Sequence, residues 1–112
     1  MIVLAIDTAS TCSVAVARAD RIVARRRADI ARGHAEALMP MIEAALAEAA
    51  IGYDDLDLIA AAVGPGSFTG LRTGIACARG LALALGLPGR GVTCLEATAA
   101  AAACGVPLLV VL

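Results

Sequence analysis

The chain has 112 residues, 61% of them apolar and 28 of them alanine, with nine arginines, no lysine, ten carboxylates and one histidine for a formal charge of −1. That length fits one compact unit rather than two, the apolar share excludes a disordered chain, and the near-zero charge excludes wholesale electrostatic wrapping of nucleic acid. The longest uncharged run, residues 97–112, is too short to span a bilayer and is interrupted by Gly105 and Pro107, so no membrane association is expected.

The apolar stretch Ile2 to Ile6 has no basic residue before it and closes at Asp7, which does not match a secretory signal, so a cytoplasmic location is expected. Asp7-Thr-Ala-Ser-Thr11 then makes a polar turn into Cys12 to Arg18, where Cys12, Val14 and Val16 alternate with Ser13, Ala15 and Ala17. Ala19-Asp20 is short enough for a hairpin into Arg21 to Ala28, giving three antiparallel strands. From Gly33 the period becomes helical, with Leu38, Ile42, Leu46 and Ala49 on one stripe, Pro40 inside and Gly52 as the stop. Pro40 cannot donate to the Glu36 carbonyl, so a bend or a loose first turn is expected. Asp54 to Asp57 leads into Leu58 to Val63, an unbroken apolar run suited to a covered strand. After Gly64 to Gly70 a second helix runs from Leu71 to Leu85, stopped by Gly86 and Pro88. A short strand from Gly91 to Thr93, an alanine-rich third helix from Leu95 to Ala103 and a terminal strand complete the order.

A meander followed by right-handed crossovers gives an α/β fold with a mixed five-stranded sheet and helices packed on it. That plan resembles the ribonuclease-H-like half-domain duplicated in the actin-like ATPase and sugar-kinase superfamily. Residues 1–105 are assigned to one such half-domain. Residues 106–112 begin a buried strand and stop without a cap, and are read as the start of a truncated second half-domain.

Two loops carry polar groups suited to an anion. Asp7, Thr8 and Ser10 form either a phosphate loop or a turn whose side chains satisfy their own backbone. Gly66, Ser67 and Thr69 stand in a glycine-rich turn before a helix, which offers either free amides to an anion or a plain N-cap. No lysine follows these glycines, and their spacing misses the dinucleotide pattern by one residue. Gly70, Gly74 and Ala78 make a small-residue stripe on the second helix. Arg72 and Arg79 stand seven apart beside it, and Glu36 and Glu43 repeat that interval on the first helix. These stripes, the second helix's continuing through Leu81 and Leu85, predict a paired-helix surface for a second subunit, with Met39, Met41 and Ile42 as adaptable packing groups; the competing expectation is that all of them are satisfied within one chain. His34 has no second imidazole or nearby thiol to share a metal, and is read as an exposed or capping group. Six of the nine arginines fall between Arg18 and Arg32, where they either meet RNA phosphates or guard a sheet edge against aggregation, the guard being the simpler account.

Ile6-Asp7-Thr8, Arg32-Gly-His-Ala-Glu36, Gly64-Pro-Gly-Ser-Phe-Thr-Gly-Leu-Arg72 and Leu95-Glu-Ala97, in that order, resemble the TsaB/YeaZ family, over about its first half. The resemblance implies a non-catalytic scaffold subunit that helps place threonylcarbamoyl on the N6 amine of the adenosine beside the anticodon in tRNAs reading codons that begin with A. It implies as partners the catalytic paralogue TsaD and the small ATPase TsaE, tRNA through that complex, and homodimers when the paralogue is missing. It also assigns the two helices to the contact. In the paralogue two metal-binding histidines flank a Leu-Glu pair four residues apart; the matching positions here are Cys94 and Thr98, so no metal site and no cofactor are expected. Ala9 stands where many members carry serine. The runner-up is an ATP-dependent phosphotransferase of the sugar-kinase superfamily using Asp7, Thr8 and Ser10. A metallopeptidase fails for want of ligands around His34.

Overall fold

The computed structural model describes residues 1–19, 21–28, 34–66 and 68–93; the expected third helix, the terminal strand, Ser67, Cys94 and Thr98 lie outside them. Strands β1 (Ile2–Asp7), β2 (Cys12–Arg18) and β3 (Arg21–Ala28) form the meander. Helix α1 (His34–Ala49) leads through a single 3-10 turn at Tyr53–Asp55 to β4 (Leu58–Gly64), and α2 (Phe68–Leu85) leads to β5 (Gly89–Thr93). The five strands lie in the order β3-β2-β1-β4-β5. β2 runs antiparallel to both its neighbours, while β4 runs parallel to β1 and β5 parallel to β4. The mixed five-stranded sheet is as the hydrophobic periods predict.

Register explains which face the helices cover. Leu4 lies between Val16 and Ile59, and Ile6 between Val14 and Ala61, so the alternate residues of three strands reach one face together. There they meet Leu38, Ile42, Ala45 and Leu46 of α1 and Ala78 and Ala82 of α2 in one core. Both crossovers proceed in the same direction across the sheet, which puts both helices on the same side.

The two helices end alike. Gly86 takes φ +67°, its N–H donates to the Leu83 carbonyl at 3.3 Å, and Leu87 donates to Ala82 at 2.8 Å, which together close a Schellman cap. At the end of α1 the left-handed residue is Ala50, φ +56°, with Ile51 donating to Leu46 at 3.0 Å. The helix therefore stops before Gly52, the stop its sequence suggests, because the cap forms two residues earlier. Helix α1 continues through the exposed Pro40. No helix among the described residues is long and apolar enough to cross a membrane.

Candidate partner interface

The C-terminal ends of β1 and β4, adjacent parallel strands whose chains leave in opposite directions, form the crevice in which an α/β sheet ordinarily takes a ligand. Here the chain fills it. Thr8 is buried, and its hydroxyl donates to the Gly70 carbonyl at 2.5 Å. Directly above it Gly74 has no side chain for a reason: a Cβ there would strike the Thr8 hydroxyl and lie 3.2 Å from its methyl. Gly66 likewise abuts Ala9, where an added Cβ would come within 2.6 Å of the alanine's own. Asp7 accepts the Ala9 N–H at 2.9 Å, the self-satisfied turn of the two expectations for that segment.

These contacts correct three readings of the sequence. Thr8 is removed from the anion loop, because its donor is used and water does not reach it. Thr69 is the second residue of α2 and not its cap. Gly74 and Ala78, assigned to a partner surface, face this chain's own sheet, as does Ile42 of α1; the close approach their small side chains permit is internal. Gly66 and Asp7 are exposed and remain at the rim.

What stays open is a groove of about 770 Å³ between α1 and α2, lined by Met39, Thr69, Arg72, Cys77 and Leu81 among others. Three of the residues expected at the partner surface, Met39, Arg72 and Leu81, thus meet in one place. The Cys77 thiol lies 3.8 Å from the Met39 sulfur, giving the floor two soft, adaptable groups. Burial pushes the Cys77 pKa up, with a smaller contribution from Cys12, which favours the protonated thiol. Glu36 and Glu43 are exposed on α1, but neither pairs with Arg72 or Arg79 among the described residues, so the acidic and basic stripes do not engage each other within the chain. Arg79 lines a different groove of about 730 Å³, on the far flank of α2 beside β5, and is separated from the first by the helix itself. Met41 is half-buried against the core.

One residue of the surface is missed by periodicity. Phe68, the sole phenylalanine of the chain, is 74% exposed, and the Arg72 guanidinium stacks over its ring at 5.3 Å. Its position before the apolar stripe of α2 hides it from a helical-period argument. The signal available was its adjacency to the glycine turn.

Comparison with known proteins bears on this geometry. The family model described as TsaD, tRNA N6-adenosine threonylcarbamoyltransferase, matches residues 26–112. The solved structure of YeaZ from Pseudomonas aeruginosa superposes with a TM-score of 0.81 and 37% identity, over 93% of this chain and 50% of that one. The chain belongs to this family, as the N-terminal region of a TsaB/YeaZ member. Similarity extends to the Bacillus subtilis tRNA threonylcarbamoyladenosine biosynthesis protein TsaB, 37% identical over 101 residues, which are 89% of this chain and 44% of that protein. An uncharacterized Mycobacterium tuberculosis protein is 49% identical over 98 residues, 85% of this chain and 46% of its own length. The chain therefore spans about half the length of the curated relatives it matches.

Proposed function

We propose that this chain is the helix-bearing lobe of a non-catalytic subunit that docks a threonylcarbamoyl-transferring relative through the groove between α1 and α2. The observation that carries the reading is a contrast. The crevice where a working member of the superfamily would hold phosphate is occupied by the Thr8–Gly70 contact, while the helix pair leaves an adaptable, unfilled groove. Apolar floor, sulfur atoms and a stacked aromatic-arginine pair at one end are the composition of a protein contact with a few anchoring groups. The partner is a TsaD-like catalytic paralogue, the complex includes a TsaE-like ATPase, and its product is threonylcarbamoyladenosine in tRNA. In the absence of the paralogue the same groove pairs with a second copy. The protein works in the cytoplasm, residues 1–105 constitute its first half-domain, and residues 106–112 open the second.

Co-expression of the full native chain with a TsaD relative, followed by co-purification, tests the reading. Met39→Glu and Arg72→Glu change exposed groups of the groove and are expected to abolish the complex with unchanged melting temperature. Leu83→Glu, 86% exposed on the other flank of α2, is expected to retain it. Retention of the complex by the two groove variants would remove the groove from the contact.

A further inference from the structure

Phe68 opens α2 and Arg72 follows four residues on, a spacing that makes them neighbours on the helix surface. Their stack at 5.3 Å is therefore built by one helix alone and holds the guanidinium before any partner arrives. Less rotamer freedom then remains for the long arginine side chain to lose on binding. A guanidinium held over a ring by its charge keeps its N–H donors for other acceptors. No acceptor in this chain takes them: Arg72 has no hydrogen bond and no ion pair among the described residues. Two carboxylates stand on the neighbouring helix. Glu36 and Glu43 are exposed on α1, yet neither reaches Arg72, whereas Glu48 of the same helix takes Arg26 of β3. The cation that lines the groove is thus left without a counter-ion.

An exposed arginine alone is ordinary surface chemistry, because water solvates it well. Arg72 is set apart by its company. Phe68 is one of two aromatic residues in the chain; the other, Tyr53, is partly buried against the core, while Phe68 is left to solvent. Met39 is exposed in the same groove. An aromatic ring, a thioether and an unpaired guanidinium therefore border one opening, and these are the side chains enriched where proteins meet. The planar fork of arginine matches the two oxygens of a carboxylate, so the group that fits is a carboxylate flanked by apolar surface that covers the ring. A phosphate backbone fits worse. It would leave the ring and thioether uncovered, and it needs a row of cations where the groove has one.

We propose that Phe68 and Arg72 together fix the register of the docked partner by taking an aspartate or glutamate side chain of the transferase relative. The proposal rests on the docking reading above and adds to it the chemistry of the partner's contact.

The test measures association and dissociation rates of the full native chain with a TsaD relative. Arg72→Gln is expected to raise the dissociation rate by more than about tenfold, and Arg72→Lys, which keeps the charge but neither the fork nor the stack, by about tenfold. Phe68→Leu keeps an apolar group and loses the ring, and is expected to raise it about fivefold. Association rates are expected to change by less than about twofold, and melting temperatures not at all, since both positions are exposed. Replacing the partner's surface aspartates and glutamates one at a time is expected to reveal one whose loss makes Arg72→Gln silent, as a shared contact requires. Native rates in Arg72→Lys would overturn the proposal, because charge alone would then suffice, and so would the lack of any coupled carboxylate. An Arg72→Gln variant that weakens self-association of the chain and leaves the complex intact would assign the pair to a second copy and overturn it as well. Met39→Glu separates this proposal from the docking reading. Loss of the complex there, with native rates in Arg72→Gln and Phe68→Leu, sinks the anchor and leaves the groove; retention in all three sinks both.

Discussion

Thr8 is the residue on which the sequence and the folded chain differ most. A buried hydroxyl between a glycine carbonyl and a glycine Cα satisfies its donor and allows two backbones to touch. Thr8→Val keeps the shape and removes the donor, leaving the Gly70 carbonyl without it, and is expected to cost about 1–2 kcal/mol in urea unfolding. Gly74→Leu is expected to cost more than about 2 kcal/mol, since the new side chain has only the Thr8 position to enter. A failure of Gly74→Leu to bind a partner would therefore report unfolding. A Gly74→Leu variant as stable as the native chain would contradict the packing described. The spacing of Gly70, Gly74 and Ala78 rightly signalled a close backbone approach. It could not tell an outside backbone from the chain's own turn, because periodicity specifies the face of a helix and not what lies opposite.

At the scale of elements, the caps make a sharper comparison. Two Schellman ends are built on Gly86 and Ala50, and only the first has the residue that takes a left-handed φ without Cβ strain. Ala50→Gly is expected to stabilise by about 0.5 kcal/mol, the relief of that strain less the entropy a glycine adds to the unfolded state. Gly86→Ala is expected to destabilise by about 1 kcal/mol. Equal and opposite thermal shifts are not required; their signs are. All five strands and both helices in the described residues were legible from the sequence, since period-2 and helical stripes alternate with clear turn residues. Ends were read less well. Thr69 and Gly70 look like loop residues but form the first turn of α2, because the preceding segment docks on Ala9, far back in the chain, and local composition does not carry a contact of that range.

The molecule as a whole has a predictable pH limit on the alkaline side. Burial raises the pKa of Cys12. Burial, then Cys12, raises Cys77. Burial, then Glu43 and Cys77, raises Tyr53, whose hydroxyl is buried with no partner among the described residues. All three are neutral acids that the folded state keeps protonated longer than the unfolded state does. Their contribution is complete below the unfolded values, about 8.5 for a thiol and 10 for a phenol, and is lost as pH climbs through the raised folded values. The urea midpoint is therefore expected to be level up to about pH 8 and to fall above it, and Cys12→Ala/Cys77→Ala is expected to flatten the first part of that fall. A midpoint that stays level to about pH 10.5 would contradict the burial of these groups.

The meeting of Thr8 with Gly70 and of Ala9 with Gly66 also joins the two strings by which kinship was recognised, Ile6-Asp7-Thr8 and the run from Gly64 to Arg72. In this chain that signature marks a weld between the segments that leave β1 and β4 at the same end of the sheet. The family model named for a transferase matches residues 26–112 and so contains only the second of these strings. Kin found by these strings are identified by how they are built, and their trade has to be read from the grooves the weld leaves open.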